Sequence, residues 1–146
     1  MHLEGYRHLP SGRLAVARYE HTVVLLPTGK VLVVGGLGAH GGLASAEEYD
    51  PVTGTWSGVA PTARTRAFHT ATLLPTGQVL VVGGMNSSVL ASAELFDPST
   101  EQWEAAGALA TARSHHTACV LPTGDVLVAG GHSSSGPLAG TELYVP

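Results

Sequence analysis

The sequence predicts an all-β architecture of three repeated units, and three observations lead there. The segment from His21-Thr22 to Gly35-Gly36 returns from His69-Thr70 to Gly83-Gly84, and again from His116-Thr117 to Gly130-Gly131. The histidines stand 48 and 47 residues apart, and a fixed period of roughly 40–50 residues marks a repeat architecture. The segment Ser45-Ala46-Glu47-Glu48-Tyr49-Asp50-Pro51, with Trp56, returns as Ser92-Ala93-Glu94-Leu95-Phe96-Asp97-Pro98, with Trp103. A third, partial copy is Thr141-Glu142-Leu143-Tyr144-Val145-Pro146. Glycine and proline number 19 and 9, and charged residues make up only 12%. That balance suits short apolar strands joined by turns better than solvated helices.

Each unit reads as four strands in order. His69-Thr70-Ala71-Thr72-Leu73-Leu74 is β-prone and ends at Pro75-Thr76-Gly77, where Pro presets φ and Gly accepts φ > 0. Gln78-Val79-Leu80-Val81-Val82 is nearly all aliphatic, as expected of a strand covered on both faces. Gly83-Gly84 ends it and permits a close backbone approach. After a loop of small residues, Ala93-Glu94-Leu95-Phe96 is the third strand, closed by Asp97-Pro98, and the stretch around Trp103 is a short fourth. Four antiparallel strands per unit make one blade of a β-propeller. Blade 1 is expected over residues 18–65, blade 2 over 66–112 and a partial blade 3 over 113–146, with 1–17 as a lead-in carrying an outermost strand.

Several classes are excluded. The net charge is −4 and no basic stripe is present, so nucleic acid is not an expected partner. No apolar run approaches the roughly 20 residues of a membrane span. Cys119 has no second cysteine to pair with, which excludes a disulfide scaffold. Its place in blade 3, where Val24 and Thr72 stand in the others, predicts a buried small hydrophobe. Residues 1–8 lack the apolar core of a targeting segment, and the compartment stays open.

The Gly-Gly after an aliphatic strand, together with the spacing of Tyr49 to Trp56 and Phe96 to Trp103, resembles the kelch repeat. Arg18, Arg66 and Arg113, each three residues before the histidine, match that family's strand-one arginine. The copies are most similar to bacterial kelch repeats of the galactose-oxidase-like superfamily. The resemblance implies a non-catalytic module that binds protein or acidic ligands through the channel mouth and the inter-strand loops. Arg18, Arg66 and Arg113 are the candidate ligand contacts, because guanidinium groups bind carboxylate or phosphate bidentately. Arg64, with Arg13, adds positive charge in the loops entering strand one. The other reading of the arginines pairs them with Glu47, Glu94 and Glu142, which also recur in every unit.

The histidines carry the alternative function. Neutral imidazole ligates zinc and copper, and His21, His69, His115 and His116 are the candidate ligands for a metal-dependent enzyme. The resemblance to galactose oxidase implies a Tyr-His copper pair at this place in one blade. The matching pairs are Glu20-His21, Phe68-His69 and His115-His116, of which only the last offers two ligands, and no matching Tyr or Cys–Tyr pair is visible. Copper-radical oxidation is therefore not implied, and no cofactor is expected under the first reading. A His-Thr pair in every blade also fits repeated packing and hydrogen bonding. His115 differs, since its counterparts are Glu20 and Phe68, and it is the best single candidate for a site residue and a further ligand contact at the channel mouth. No Ser-His-Asp order, phosphate loop or His-Glu-x-x-His motif is present. The loops after Gly-Gly (37–42, 85–89 and 132–137) differ most between blades and hold His40 and His132, and binding residues concentrate on such loops.

Propellers have about four to eight blades, so three blades predict a partner. The expectation is a second copy joined head to tail in a six-bladed ring, each N-terminal strand around residues 4–9 completing the other chain's last blade under two-fold symmetry. His8 stands there at the position of Trp56 and Trp103. The alternatives are further blades of a larger protein, or a purely architectural role.

Overall fold

The computed structural model describes residues 5–146. Every regular element in them is a strand, and no helix long and apolar enough to cross a membrane is present among the described residues. The first sheet holds β1 (Thr22–Leu25), β2 (Val31–Val34), β5 (Ala46–Asp50) and β6 (Thr55–Val59), with a two-residue hairpin of β3 (Leu37–Gly38) and β4 (Gly41–Gly42) rising from the loop after β2. The second holds β7 (Thr70–Leu73), β8 (Val79–Val82), β9 (Ser92–Asp97) and β10 (Gln102–Ala108). The third holds β11 (Thr117–Val120), β12 (Val126–Ala129) and β15 (Thr141–Tyr144), with a hairpin of β13 (His132–Ser133) and β14 (Gly136–Pro137). Strands within each sheet are sequential and antiparallel, as the repeat predicts for propeller blades.

Local chemistry sets the turns. Gly29, Gly77 and Gly124 close the Pro-Thr-Gly turns at φ near +90°, a conformation that favours glycine. Trp103 on β10 lies opposite Phe96, as Trp56 on β6 lies opposite Tyr49. Their ring centroids are 4.9 and 5.1 Å apart, within the range of favourable tilted pairs. Trp103 Nε1 also donates to Ala60 O of the loop between blades at 2.7 Å, so the outer strand anchors the chain that enters its own blade. The fourth strand of blade 2 is longer than expected, because a register shift between Ala105 and Ala108 carries it past Gly107.

The core lies between blades. One cluster joins Val24, Leu26, Leu32 and Val34 of blade 1 to Val79, Val81 and Phe96 of blade 2. The next joins Leu74, Leu80 and Val82 of blade 2 to Val126 and Val128 of blade 3. The second strand of blade 2, β8, is buried at every position because both of its faces stack on a neighbouring blade.

One expectation concerns a second copy and is not met within the single chain, and another meets a different geometry. Residues 5–9 form no strand in their own chain, and Tyr6 and Leu9 are exposed; residue 4, at the start of that expected strand, lies outside the described residues. Cys119 is exposed rather than buried, because it sits on the face of blade 3 that no fourth blade covers.

Candidate functional site

Each blade is locked by one arginine and one glutamate. Arg66 Nη1 donates to the carbonyls of Gly83 (2.8 Å) and Ser92 (3.0 Å), and Nη2 to Ser92 Oγ (3.2 Å) and Glu94 Oε2 (2.6 Å). Arg18 repeats the set on Gly35, Ser45 and Glu47. Arg113 does so on Gly130, Gly140 and Glu142, where Gly140 supplies no hydroxyl. The second carboxylate oxygen accepts a backbone N–H of the loop entering the blade, from Ala15, Ala63 or Ala110. The three guanidinium groups are almost wholly out of solvent. The structure thus places Arg18, Arg66 and Arg113 inside the blades, each paired with the recurring glutamate. Arg64 is exposed and lines a hollow of about 370 Å³ together with Arg66, Glu94, Trp103 and Glu104.

The recurring His-Thr pair links one blade to the next. His69 Nε2 lies 2.9 Å from Thr22 Oγ1, and His116 Nε2 lies 2.9 Å from Thr70 Oγ1. Burial, helped by the Arg66 guanidinium, pushes the His69 pKa down to about 3. Burial and Arg113 push His116 down to about 4. Both are neutral in the fold while the unfolded chain protonates near 6.5, so stability is fully present above pH 6.5 and is lost as pH falls from there towards 3. His69→Gln removes one of these groups. The loss of unfolding free energy between pH 7 and pH 4.5 is expected to shrink by about 2 kcal/mol relative to wild type. Urea titrations at the two pH values measure it; an equal loss in both proteins would contradict the buried neutral state.

Between each arginine and histidine stands a residue in the left-handed region: Glu20, Phe68 and His115, with φ of 56°, 57° and 57°. Such values are uncommon outside glycine, and here they turn the chain so that arginine and histidine diverge. Backbone bonds join the three positions from blade to blade, with Phe68 N donating to Glu20 O (3.3 Å) and His115 N to Phe68 O (2.9 Å). The rings of Phe68 and His115 stack with centroids 4.0 Å apart, and His132 meets His115 edge-on at 5.4 Å. Ser114 Oγ lies 2.9 Å from His115 Nδ1 and steadies that ring.

A hollow of about 640 Å³ opens against the His115 side of this stack, lined by Met85, Ser87, Val89, Ser114, His115 and His132 among others, and Phe68 lines a neighbouring hollow of about 330 Å³ that shares Met85 and Ser87. Sequence reasoning found His115 and the loops; it missed Phe68 and Glu20 as site positions. A signal was available, because the residue before the histidine differs in every unit beside a His-Thr pair that does not. His40 lies in a different hollow, with Ala15–Ala17 of the lead-in.

The donor set does not fit a zinc or copper ion. The Nε2 atoms of His69 and His116 are each taken by a threonine of another blade, and His21, His69, His115 and His116 are not brought together. Among the described residues no group of three or more His, Cys, Asp or Glu side chains is placed to hold a metal.

The Kelch motif family matches residues 17–62 and 66–109. No curated protein matches the sequence.

Proposed function

Because the chain belongs to the kelch-motif family, we propose that it is a non-catalytic propeller module that binds a protein or peptide ligand at the mouth formed by Phe68, His115 and His132. The finer placement, among galactose-oxidase-like kelch repeats of bacterial type, rests on the Gly-Gly, arginine and aromatic-to-tryptophan spacing. The observation that carries the function is the stacked Phe68–His115 pair beside the 640 Å³ hollow. A π surface next to serine hydroxyls and an edge-on imidazole offers one apolar and several polar contacts, the mixture that marks binding sites on rigid scaffolds. The opposite end of the blades carries the same Pro-Thr-Gly turn three times, whereas the loops at this mouth differ in every blade, as recognition loops do.

Panning a displayed peptide library on the wild-type chain tests the reading. Peptides so selected are expected to lose at least about tenfold in affinity for a Phe68→Asn, His115→Asn variant, since one truncated hot spot is worth about 1.4 kcal/mol or more. Asparagine tolerates the left-handed backbone at both positions. Equal affinity for the variant would remove this mouth as the site.

A further inference from the structure

The contacts between blades are repeated, and each end of the chain carries one unmatched half of them. Between blades 1 and 2, and again between 2 and 3, a threonine meets a histidine. The second glycine of Gly-Gly donates to an arginine carbonyl, Gly36 N to Arg66 O (2.8 Å) and Gly84 N to Arg113 O (2.9 Å). The proline of one turn seats against the glycine of the next, Pro27 on Gly77 and Pro75 on Gly124. Blade 3 ends this series with Thr117, Gly131 N–H and Pro122. Blade 1 begins it with His21, the Arg18 carbonyl and Gly29, which has no neighbour within 4 Å of a Cβ position.

Gly130 shows the same gap. A Cβ at its counterparts Gly35 and Gly83 would meet an arginine carbonyl at 2.6 Å, while at Gly130 the nearest atom is 3.7 Å away. The apolar surface follows the pattern. Val23 and Leu25 of blade 1 are 57% and 64% exposed, although their counterparts Ala71 and Leu73 pack in the core. On blade 3, Leu143 is 55% exposed and Cys119 is exposed.

We propose that the outer face of blade 3 docks the outer face of blade 1 of a second copy, so that two chains close head to tail into a six-bladed ring. The two faces are the two halves of a contact this chain already makes twice, hydrogen-bond donors matching acceptors and Pro122 matching Gly29, so a second copy presents the complement of each face. A two-fold axis along the channel makes both junctions identical, and six blades lie within the range that closes without strain. The junction also brings residues 5–9 of one copy to the open edge of the other copy's β15. The ring would place Glu20, Phe68 and His115 around the whole mouth, but the assembly does not depend on the mouth binding anything.

Sedimentation velocity at micromolar concentration is expected to show a species of twice the 14.9 kDa chain mass. Leu25→Lys and Leu143→Lys, each at a position exposed in the single chain, are expected to give the 14.9 kDa species with an unchanged circular-dichroism spectrum. A monomeric wild-type chain overturns the proposal. So does a dimer that survives either lysine, or a series of oligomers that lengthens with concentration.

Discussion

Arg66→Ala is expected to lower the melting temperature more than any other single truncation at a polar side chain. The arginine and Glu94 are both buried, and removing the cation leaves a carboxylate without its counter-charge together with two carbonyls that lose their donor. Breaking a buried pair in this way costs about 3–5 kcal/mol, which in a domain of this size shifts the melting temperature by roughly 6–20 °C. The same change at Arg113 is expected to cost less, because Glu142 is partly exposed and Gly140 offers no hydroxyl to lose. Differential scanning calorimetry of both variants gives the order. Equal small shifts would mean that the pairs decorate the blades without locking them.

Gly83→Ala and Gly130→Ala form a matched pair with the second-largest contrast. Both glycines sit in the left-handed region, at φ of 65° and 68°, so alanine meets the same backbone penalty of about 1–2 kcal/mol at each. Only at Gly83 would the new methyl also fall 2.6 Å from the Arg113 carbonyl and 2.8 Å from His116 Cε1. Neither neighbour is the end of a flexible chain, and overpacking of this kind adds about 1–3 kcal/mol or more. In a Leu25→Lys background, which removes association from the comparison, urea unfolding is expected to show Gly83→Ala as the less stable by at least about 1 kcal/mol. Equal stabilities would show that the blades separate easily at this contact.

Much of this fold is written in the spacing. The 48- and 47-residue returns of the histidines, the aliphatic second strands and the Tyr49–Trp56 and Phe96–Trp103 intervals located the sheets, because each reports a local rule of strand burial or pairing. The pairing of Arg66 with Glu94 was legible as one of two readings, since both residues recur in step. What the sequence could not settle was the backbone conformation just before each histidine. Glu20, Phe68 and His115 are left-handed, and nothing in a Glu, Phe or His codes for that conformation. It is imposed by the turn into β1 and by the bonds between neighbouring blades. The same tertiary origin hid the stack of Phe68 on His115, residues of different blades, and the exposure of Cys119 on a face without a neighbour.

The location of binding is the central claim, and hydrogen exchange tests it most directly. A library-selected peptide added to the wild-type chain is expected to slow exchange at residues 85–89, 114–115 and 132–134, the backbone around the hollow, and to leave the Pro-Thr-Gly turns at 27–29, 75–77 and 122–124 unchanged. Protection at those turns, with none around Phe68 and His115, would contradict it.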